Sequence, residues 1–180
     1  MAEWTKCTIG DVCSTISETY KGNSKKVVLI NTSDVLEGEI LNHQMVDNKN
    51  LKGQFKKTFM KDDILYSEIR PANKRYGYVD FSDTENYIAS TKLMVIRADK
   101  KRIRPRYLFA LLKSEQIITQ LQLLAETRSG TFPQITFSAE LAPMEIFLPN
   151  MEIQDRIVSV LNSIEEKIAK NKAINDNLAA

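Results

Sequence analysis

The carboxylates of Asp62, Asp63 and Glu68, with Arg70 close behind, are the side chains whose types and spacing could support catalysis. Carboxylates near a basic residue hold Mg²⁺ in nucleases, where the cation offsets the charge that develops on the attacked phosphate. In such sites an earlier Asp meets a Glu-x-Lys strand. Here the acidic residues are crowded into one segment, and arginine stands where lysine is favoured. We therefore interpret Asp62-Asp63 as a turn before a strand and disfavour a nuclease.

The other common catalytic patterns are missing from the sequence. It contains no G-x-x-x-x-G-K-[ST] phosphate loop, no G-x-G-x-x-G and no G-x-S-x-G elbow, and the single histidine, His43, disfavours Ser-His-Asp or Cys-His catalysis. Cys7 and Cys13 have no CxxC motif, which predicts neither a disulfide framework nor a zinc site. We expect two buried apolar cysteines, and no catalytic residue, metal or cofactor in this chain.

Composition is that of an ordinary soluble protein, and its charge is unevenly distributed. The 180 residues are 43% hydrophobic and 27% charged. No run approaches the roughly 18 apolar residues of a membrane span, and the start lacks the apolar stretch of a signal peptide, so we expect a cytoplasmic protein. Residues 1–136 carry 21 Lys and Arg against 16 Asp and Glu, a net charge of +5, while residues 137–180 carry 4 against 7, a net charge of −3.

The basic segments of the front part alternate with aromatic residues, a pattern that favours nucleic-acid binding. In such proteins phosphate contacts position the chain, while a few side chains address base edges. For each residue a solvated surface role is an equal alternative. The candidate DNA-binding residues, chosen by charge and loop position, are Lys25, Lys26, Arg70, Asn73, Lys74, Arg75, Tyr76, Lys92, Arg128, Ser129 and Thr131.

The elements that must position these residues are predicted to form an α+β fold. A short helix is expected after Gly10, and an amphipathic helix from 106 to 124 follows Pro105. Asn150 offers an N-cap to a final helix about 40 Å long. We expect a β-rich domain at 1–149 and a coiled-coil helix at 150–180. The predicted strands are 4–9, 27–30, 59–69, 76–81, 88–97 and 144–150.

The final helix carries a narrow apolar seam with the alternating four and three spacing of a coiled coil. Packing against its own domain is one interpretation of the seam. Two asparagines favour a partner helix instead, because a buried Asn is costly against an apolar wall and satisfied opposite a polar group. The seam residues are Ile157, Leu161, Ile164, Ile168, Asn171, Asn175 and Leu178.

An ordered set of segments resembles one known family, the DNA specificity subunits of type I restriction-modification systems. In that family a strand ending in Leu-Pro is followed by an acidic residue, a Gln and a long helix, as at 148–168 here. The segments that carry the resemblance are WTKCTIGDV (4–12), KDDILYSEIRP (61–71), ASTKLMVIR (89–97), YLFALLKS (107–114), SGTFPQIT (129–136) and LAPMEIFLPNMEIQDRIVSVLNSIEEKI (141–168).

The resemblance implies a β-rich target recognition domain followed by a helix that pairs with a second such helix. Full-length members carry two recognition domains, whereas this chain has one. We therefore expect a homodimer through the C-terminal helices, or a partner helix from residues outside this sequence. The resemblance also implies double-stranded DNA as ligand, with S-adenosylmethionine on methyltransferase subunits, and ATP and Mg²⁺ serving the restriction subunit. The alternatives are a free-standing dimeric repressor and a protein-interaction module.

Overall fold

The computed structural model describes residues 4–49, 53–128 and 131–178. Within these ranges twelve strands precede or flank three helices. The helices are α1 Pro105–Leu112, α2 Glu115–Arg128 and α3 Met151–Leu178. The strands are β1 Trp4–Thr8, β2 Cys13–Ile16, β3 Lys26–Ile30, β4 Val35–Leu36, β5 Glu39–Ile40, β6 Met45–Asp47, β7 Phe55–Lys57, β8 Ile64–Ser67, β9 Tyr76–Tyr78, β10 Tyr87–Ser90, β11 Leu93–Ala98 and β12 Glu145–Pro149.

Two four-stranded sheets form the body of the domain, in the orders β2-β11-β8-β9 and β6-β3-β10-β7. All pairs in them are antiparallel except β3 with β10. The consecutive strands β10 and β11 belong to different sheets, so the chain crosses between the sheets at Thr91 and Lys92. The single strand predicted at 88–97 is therefore wrong, because the turn at these two residues divides it.

The sheet that contains β8 and β11 is covered on both faces. Along β8, Ile64 and Tyr66 join one buried cluster and Leu65 joins another, as the alternation of side chains along a strand requires. The first cluster includes Leu108 of α1 and Leu121 of α2, whereas the second includes residues of the other sheet. The helices thus pack on one side of this sheet and the second sheet on the other.

Three sequence predictions are wrong in detail. The helix expected after Gly10 is a 3₁₀ turn, Ile9–Asp11, followed by strand β2, which gains its hydrogen bonds from the distant β11. The helix expected at 106–124 is divided into α1 and α2 by a break at 113–114. The strand expected from 59 begins only at Ile64, because Asp62 adopts a left-handed φ of 74° in the preceding turn.

The predicted arrangement of a β-rich domain followed by a long helix is confirmed. The side chain of Asn150 accepts a hydrogen bond from the backbone N–H of Ile153 at 3.0 Å and caps α3, as predicted. With 28 residues, α3 is about 42 Å long. A two-stranded ribbon of β1 and β12 leads directly into this helix. None of the helices in the described ranges is long and apolar enough to cross a membrane.

Candidate nucleic-acid interface

The loop between β8 and β9 has a backbone that few residue types favour. Arg70 and Lys74 both adopt left-handed φ values, 45° and 52°, on either side of the 3₁₀ turn Pro71–Asn73. Such a conformation costs a non-glycine residue about 1–2 kcal/mol, so the surrounding contacts must impose it. The backbone N–H of Arg70 donates to the carbonyl of Pro133 at 3.1 Å, and that of Ala72 donates to the Gln122 side chain at 3.0 Å.

Backbone hydrogen bonds join this loop to two other segments. Ile135 N–H donates to the carbonyl of Glu68 at 2.9 Å, and Glu68 N–H donates to the carbonyl of Lys92 at 3.0 Å. We call the surface formed by residues 68–75, 91–92 and 131–135 the loop face. It brings together Arg70 and Lys92, which are exposed and come from distant parts of the sequence, with Thr131. Ser129 lies outside the described residues.

A basic residue that the sequence prediction missed lies beside the loop face. Lys57, on β7, donates from Nζ to the carbonyls of Thr91 at 3.0 Å and Leu93 at 2.7 Å. Burial lowers the pKa of Lys57, and nearby Lys92 lowers it further, although Glu68 opposes the shift. Lys57 therefore stabilises the turn at 91–92 through these hydrogen bonds to backbone carbonyls. The sequence signal that could have identified Lys57 is the basic segment KGQFKK at 52–57.

Three further candidates are engaged in contacts within the domain. Lys74 forms an ion pair with Glu115 at 2.6 Å, which raises the pKa of Lys74. Arg75 donates to the carbonyls of Ser33 and Val35, at 3.2 and 3.4 Å. Arg128 pairs with Glu140 at 2.9 Å. These cations remain partly accessible, but each already has an acceptor.

Tyr76 is the candidate that the structure corrects. Its side chain is only 4% exposed, and its ring stacks on Tyr66 with centroids 5.5 Å apart. An aromatic ring buried in this way stabilises the core and cannot reach a base or phosphate outside the domain. Tyr76 was chosen because it follows the basic loop, but it begins strand β9, in which Tyr78 on the same face is buried as well.

Lys25 and Lys26 lie on the other sheet. Strand β3 runs parallel to β10 with Val28 opposite Tyr87, so Lys26 is level with Glu85, two residues before β10. Lys92 follows the end of β10, about 20 Å away at about 3.3 Å per residue. These two lysines therefore form a second basic site, separate from the loop face. Asn73 lies within the loop face and is exposed.

The carboxylates considered for catalysis are neutralised by neighbouring cations. Asp63 is 1% exposed and accepts two hydrogen bonds from Arg97, at 2.8 and 2.7 Å. Asp62 accepts from Lys100 at 2.6 Å and from the Tyr78 hydroxyl at 2.8 Å. Asp63 also accepts from the backbone N–H of Met60, which closes the turn. The interpretation of Asp62-Asp63 as a turn before a strand is confirmed.

Of the two cysteines, Cys13 is buried as expected, while Cys7 is half-buried. Desolvation raises the pKa of the Cys13 thiol to about 12. Across the described ranges no group of three or more His, Cys, Asp and Glu side chains is placed to hold a metal ion.

Helix α3 has two distinct sides. One packs on α1, where Val158, Leu161 and Glu165 line a cleft with Phe109 and Lys113. From 166 to 177 every side chain is exposed, so this half of α3 projects beyond the domain. A second side, which is mainly apolar and which we call the free face, is centred about 110° around the helix from the packed side. The free face consists of Val160, Ile164, Ile168, Asn171 and Ile174.

The predicted seam is divided between these two sides. Leu161 is half-buried beside α1, and Ile157 is half-buried at the edge of the core. Ile164, Ile168, Asn171 and Asn175 are exposed. The side chain of Leu178 lies outside what the structure describes. Val160 and Ile174 were missed because the sequence did not show which side of the helix its own domain would cover.

A β-rich domain with a basic loop face and a helix with a free apolar side are typical of a modular macromolecule-binding protein. A family model for the type I restriction modification DNA specificity domain matches residues 1–180. The chain belongs to this family. The type I restriction enzyme HindI specificity subunit of Haemophilus influenzae is 41% identical over 179 residues, which are 99% of this chain and 39% of that protein. The resemblance seen in the sequence is confirmed.

Two solved structures have the same fold. The HsdS subunit from Thermoanaerobacter tengcongensis aligns with a TM-score of 0.80 and 25% identity, over 95% of this chain and 44% of that chain. A chain from a study of complex assembly and conformational transition of the type I R-M system aligns with a TM-score of 0.78 and 25% identity, over 97% and 45%. The chain thus spans less than half the length of these relatives. The comparisons do not support a repressor or an interaction module.

Proposed function

We propose that this chain is the non-catalytic DNA sequence-recognition subunit of a type I restriction-modification enzyme. It directs methyltransferase and restriction subunits to a target made of two half-sites. Residues 1–149 bind DNA, and residues 150–180 pair with a second helix. Besides family membership, the observation that carries the proposal is the loop face, where Arg70, Lys92 and Thr131 meet on backbone tied by hydrogen bonds.

The loop face suits DNA because its cations are accessible and its backbone is fixed. Arg70 is exposed, and Lys92 is only 3.8 Å from Glu68 in an ion pair that water screens. Lys74 is in an exposed ion pair with Glu115, which water screens, whereas the Glu140 carboxylate paired with Arg128 is only 10% exposed. Lys74 can therefore exchange its carboxylate for a phosphate at little cost. Fixed loops hold the remaining polar side chains in place to contact base edges.

The pairing half of the proposal rests on α3. Its free face is apolar and exposed, and its last turns project beyond the domain. In an antiparallel pair of two copies, the projecting half of each helix lies beside the half of the other helix that packs on its own domain. The recognition domains then stand at opposite ends, about 40 Å apart. Because two identical readers are related by a two-fold axis, the expected target is a split palindrome with an unread spacer.

The remaining partners follow from the family. Methyltransferase subunits supply S-adenosylmethionine chemistry, and a restriction subunit supplies ATP-driven cleavage with Mg²⁺. This chain supplies neither activity and acts by placing the two kinds of subunit on DNA. We propose that it does so in the cytoplasm.

The test of DNA binding is its salt dependence. Neutralising about 5 phosphates gives a slope of log K against log salt of about −4.5. Arg70→Ala/Lys92→Ala removes two contacts and flattens the slope by about 1.8. Lys6→Ala/Lys170→Ala removes the same charge from the β1–β12 ribbon and from α3, away from the loop face, and leaves the slope nearly unchanged. Fluorescence anisotropy with a labelled duplex measures both.

Two results contradict the proposal. One is an affinity that does not depend on salt. The other is an equal change of slope in the two double variants, because the loop face would then have no special part in binding. Lys25→Ala/Lys26→Ala reports separately on the second basic site.

A further inference from the structure

Where α3 leaves the domain, one of its side chains is completely buried. Gln154 is completely buried, and its Oε1 accepts from the backbone N–H of Arg104 at 2.8 Å. Its Nε2 donates to the carbonyls of Arg102 at 3.2 Å and Pro149 at 2.9 Å. The amide thus connects the end of β12, the first turn of α3 and the segment before α1. A change in the direction of α3 would stretch or break these hydrogen bonds.

Two groups of ion pairs fix the helix further along. Arg104 donates from Nε and Nη2 to the two carboxylate oxygens of Asp155, at 2.6 and 2.8 Å. Glu165 is held by Lys113 at 2.8 Å and by Arg106 at 3.8 Å. Asp155 and Glu165 are about 15 Å apart along the axis. Contacts at two such points fix both the tilt and the rotation of α3 against α1. We call Gln154, Asp155, Glu165 and their partners the clamp.

We infer that the clamp determines the spacing between the two half-sites of the target. The inference rests on the proposed function, in which two clamped helices hold two readers apart. Helix length sets the coarse distance, but the angle at which each domain leaves its helix sets where its loop face meets DNA. A domain of this size has a radius of roughly 20 Å. A tilt of about 10° therefore moves its surface by about 3.5 Å, the rise of about one base pair.

The chemistry of the clamp suits this role better than a role in stability. Arg104 and Asp155 are 41% and 54% exposed, and Lys113 and Glu165 are 31% and 45% exposed. Ion pairs this exposed add little to folding. They are directional, however, because the bidentate arginine pair restricts the relative orientation of the two groups. The clamp residues are positioning residues, which affect spacing through the domain they orient.

The test uses the full chain and duplex DNA at low salt. Selection from a random duplex library with the wild-type protein first gives the half-sites and their spacer. Duplexes with these half-sites and spacers changed by one or two base pairs are then compared. One base pair alters the separation by about 3.4 Å and the rotation by about 35°, so the wild type should bind the selected spacer at least about tenfold more tightly.

Asp155→Ala/Glu165→Ala should reduce this preference below about threefold, because Gln154 then holds the start of α3 without the two ion-pair contacts that fix its tilt and rotation, and should leave the half-site sequence unchanged. Glu152→Ala/Glu166→Ala is the matched control, since it removes two carboxylates of α3 outside the clamp. It should keep the wild-type preference. If the Gln154→Ala variant folds, it should also bind a wider range of spacer lengths than the wild type, but the test does not depend on this variant.

Three outcomes overturn the inference. In the first, the double clamp variant keeps the tenfold preference. In the second, it loses affinity equally for all spacers, which is the sign of a purely structural role. In the third, the wild type selects a single undivided site, which also overturns the proposed function. The first two outcomes leave that function intact, so the two failures can be told apart.

Discussion

Replacing two isoleucines of the free face by aspartate is expected to convert a dimer into a monomer. Val160, Ile164, Ile168 and Ile174 are 59%, 49%, 62% and 55% exposed, so pairing can still bury about half of each side chain. Full burial of such a side chain contributes about 1.5–3 kcal/mol, which leaves about 0.75–1.5 kcal/mol for each. Four on each of two helices give about 6–12 kcal/mol before the cost of association, which is at least about 4 kcal/mol. The upper end of the difference, about 8 kcal/mol, corresponds to a dissociation constant of about 1 μM.

Ile164→Asp/Ile168→Asp removes about half of that stabilisation and adds four carboxylates to the interface. The loss is at least about 3 kcal/mol, or more than about 100-fold in the dissociation constant. Sedimentation velocity across micromolar concentrations measures it. Ser159→Asp/Ser163→Asp introduces the same charges at the same spacing outside the free face, so its dimer should persist. A wild-type chain that is monomeric at tens of micromolar would refute the pairing of two copies and show that the partner helix comes from elsewhere.

Three further outcomes are expected from the described contacts. Asp63→Ala leaves Arg97 without its carboxylate and should lower the free energy of unfolding in urea by about 3 kcal/mol. Lys100→Ala removes a more exposed ion pair and should change the free energy of unfolding by less than about 1 kcal/mol. The hydrogen bonds from Arg104 lower the pKa of Asp155 in the folded protein. The pair therefore adds stability above the unfolded-state pKa, near 3.8, and this stability is lost as pH falls through the lower folded-state pKa. Between about pH 4 and pH 2, Asp155→Asn should therefore lose less stability than the wild type in thermal melts. Because burial raises the pKa of Cys13 to about 12, a thiol reagent at pH 8 should label Cys13 only after unfolding, and labelling of the native protein at this position would show that the core opens readily.

The sequence predicted the elements whose signals are local. The β-branched run at 27–30, the strand closed by Pro149 and the cap at Asn150 all depend on neighbours within a few residues, and all are present. The strand β2 was mistaken for a helix because its partner β11 lies about 80 residues away. The division of 88–97 was missed because Thr91 and Lys92 form the turn without glycine or proline.

The candidate site was predicted only in part for a related reason. Charge identifies cations, but it does not show which of them already have an acceptor inside the domain, as Arg75 has in the carbonyls of Ser33 and Val35. It also does not show that distant segments meet. The adjacency of Arg70 and Lys92 depends on hydrogen bonds between three segments, and no spacing in the sequence indicates them.

The ribbon of β1 and β12 has a consequence for the order of events during synthesis. Trp4 pairs with Pro149, so β1 has no partner in this ribbon until about 140 further residues have left the ribosome. Contacts of such long range form late and slowly. Since α3 begins at Met151, just after β12, the helix becomes fixed to the domain only when the ribbon closes. A nascent chain can therefore form its two four-stranded sheets before α3 is held in a fixed direction relative to them.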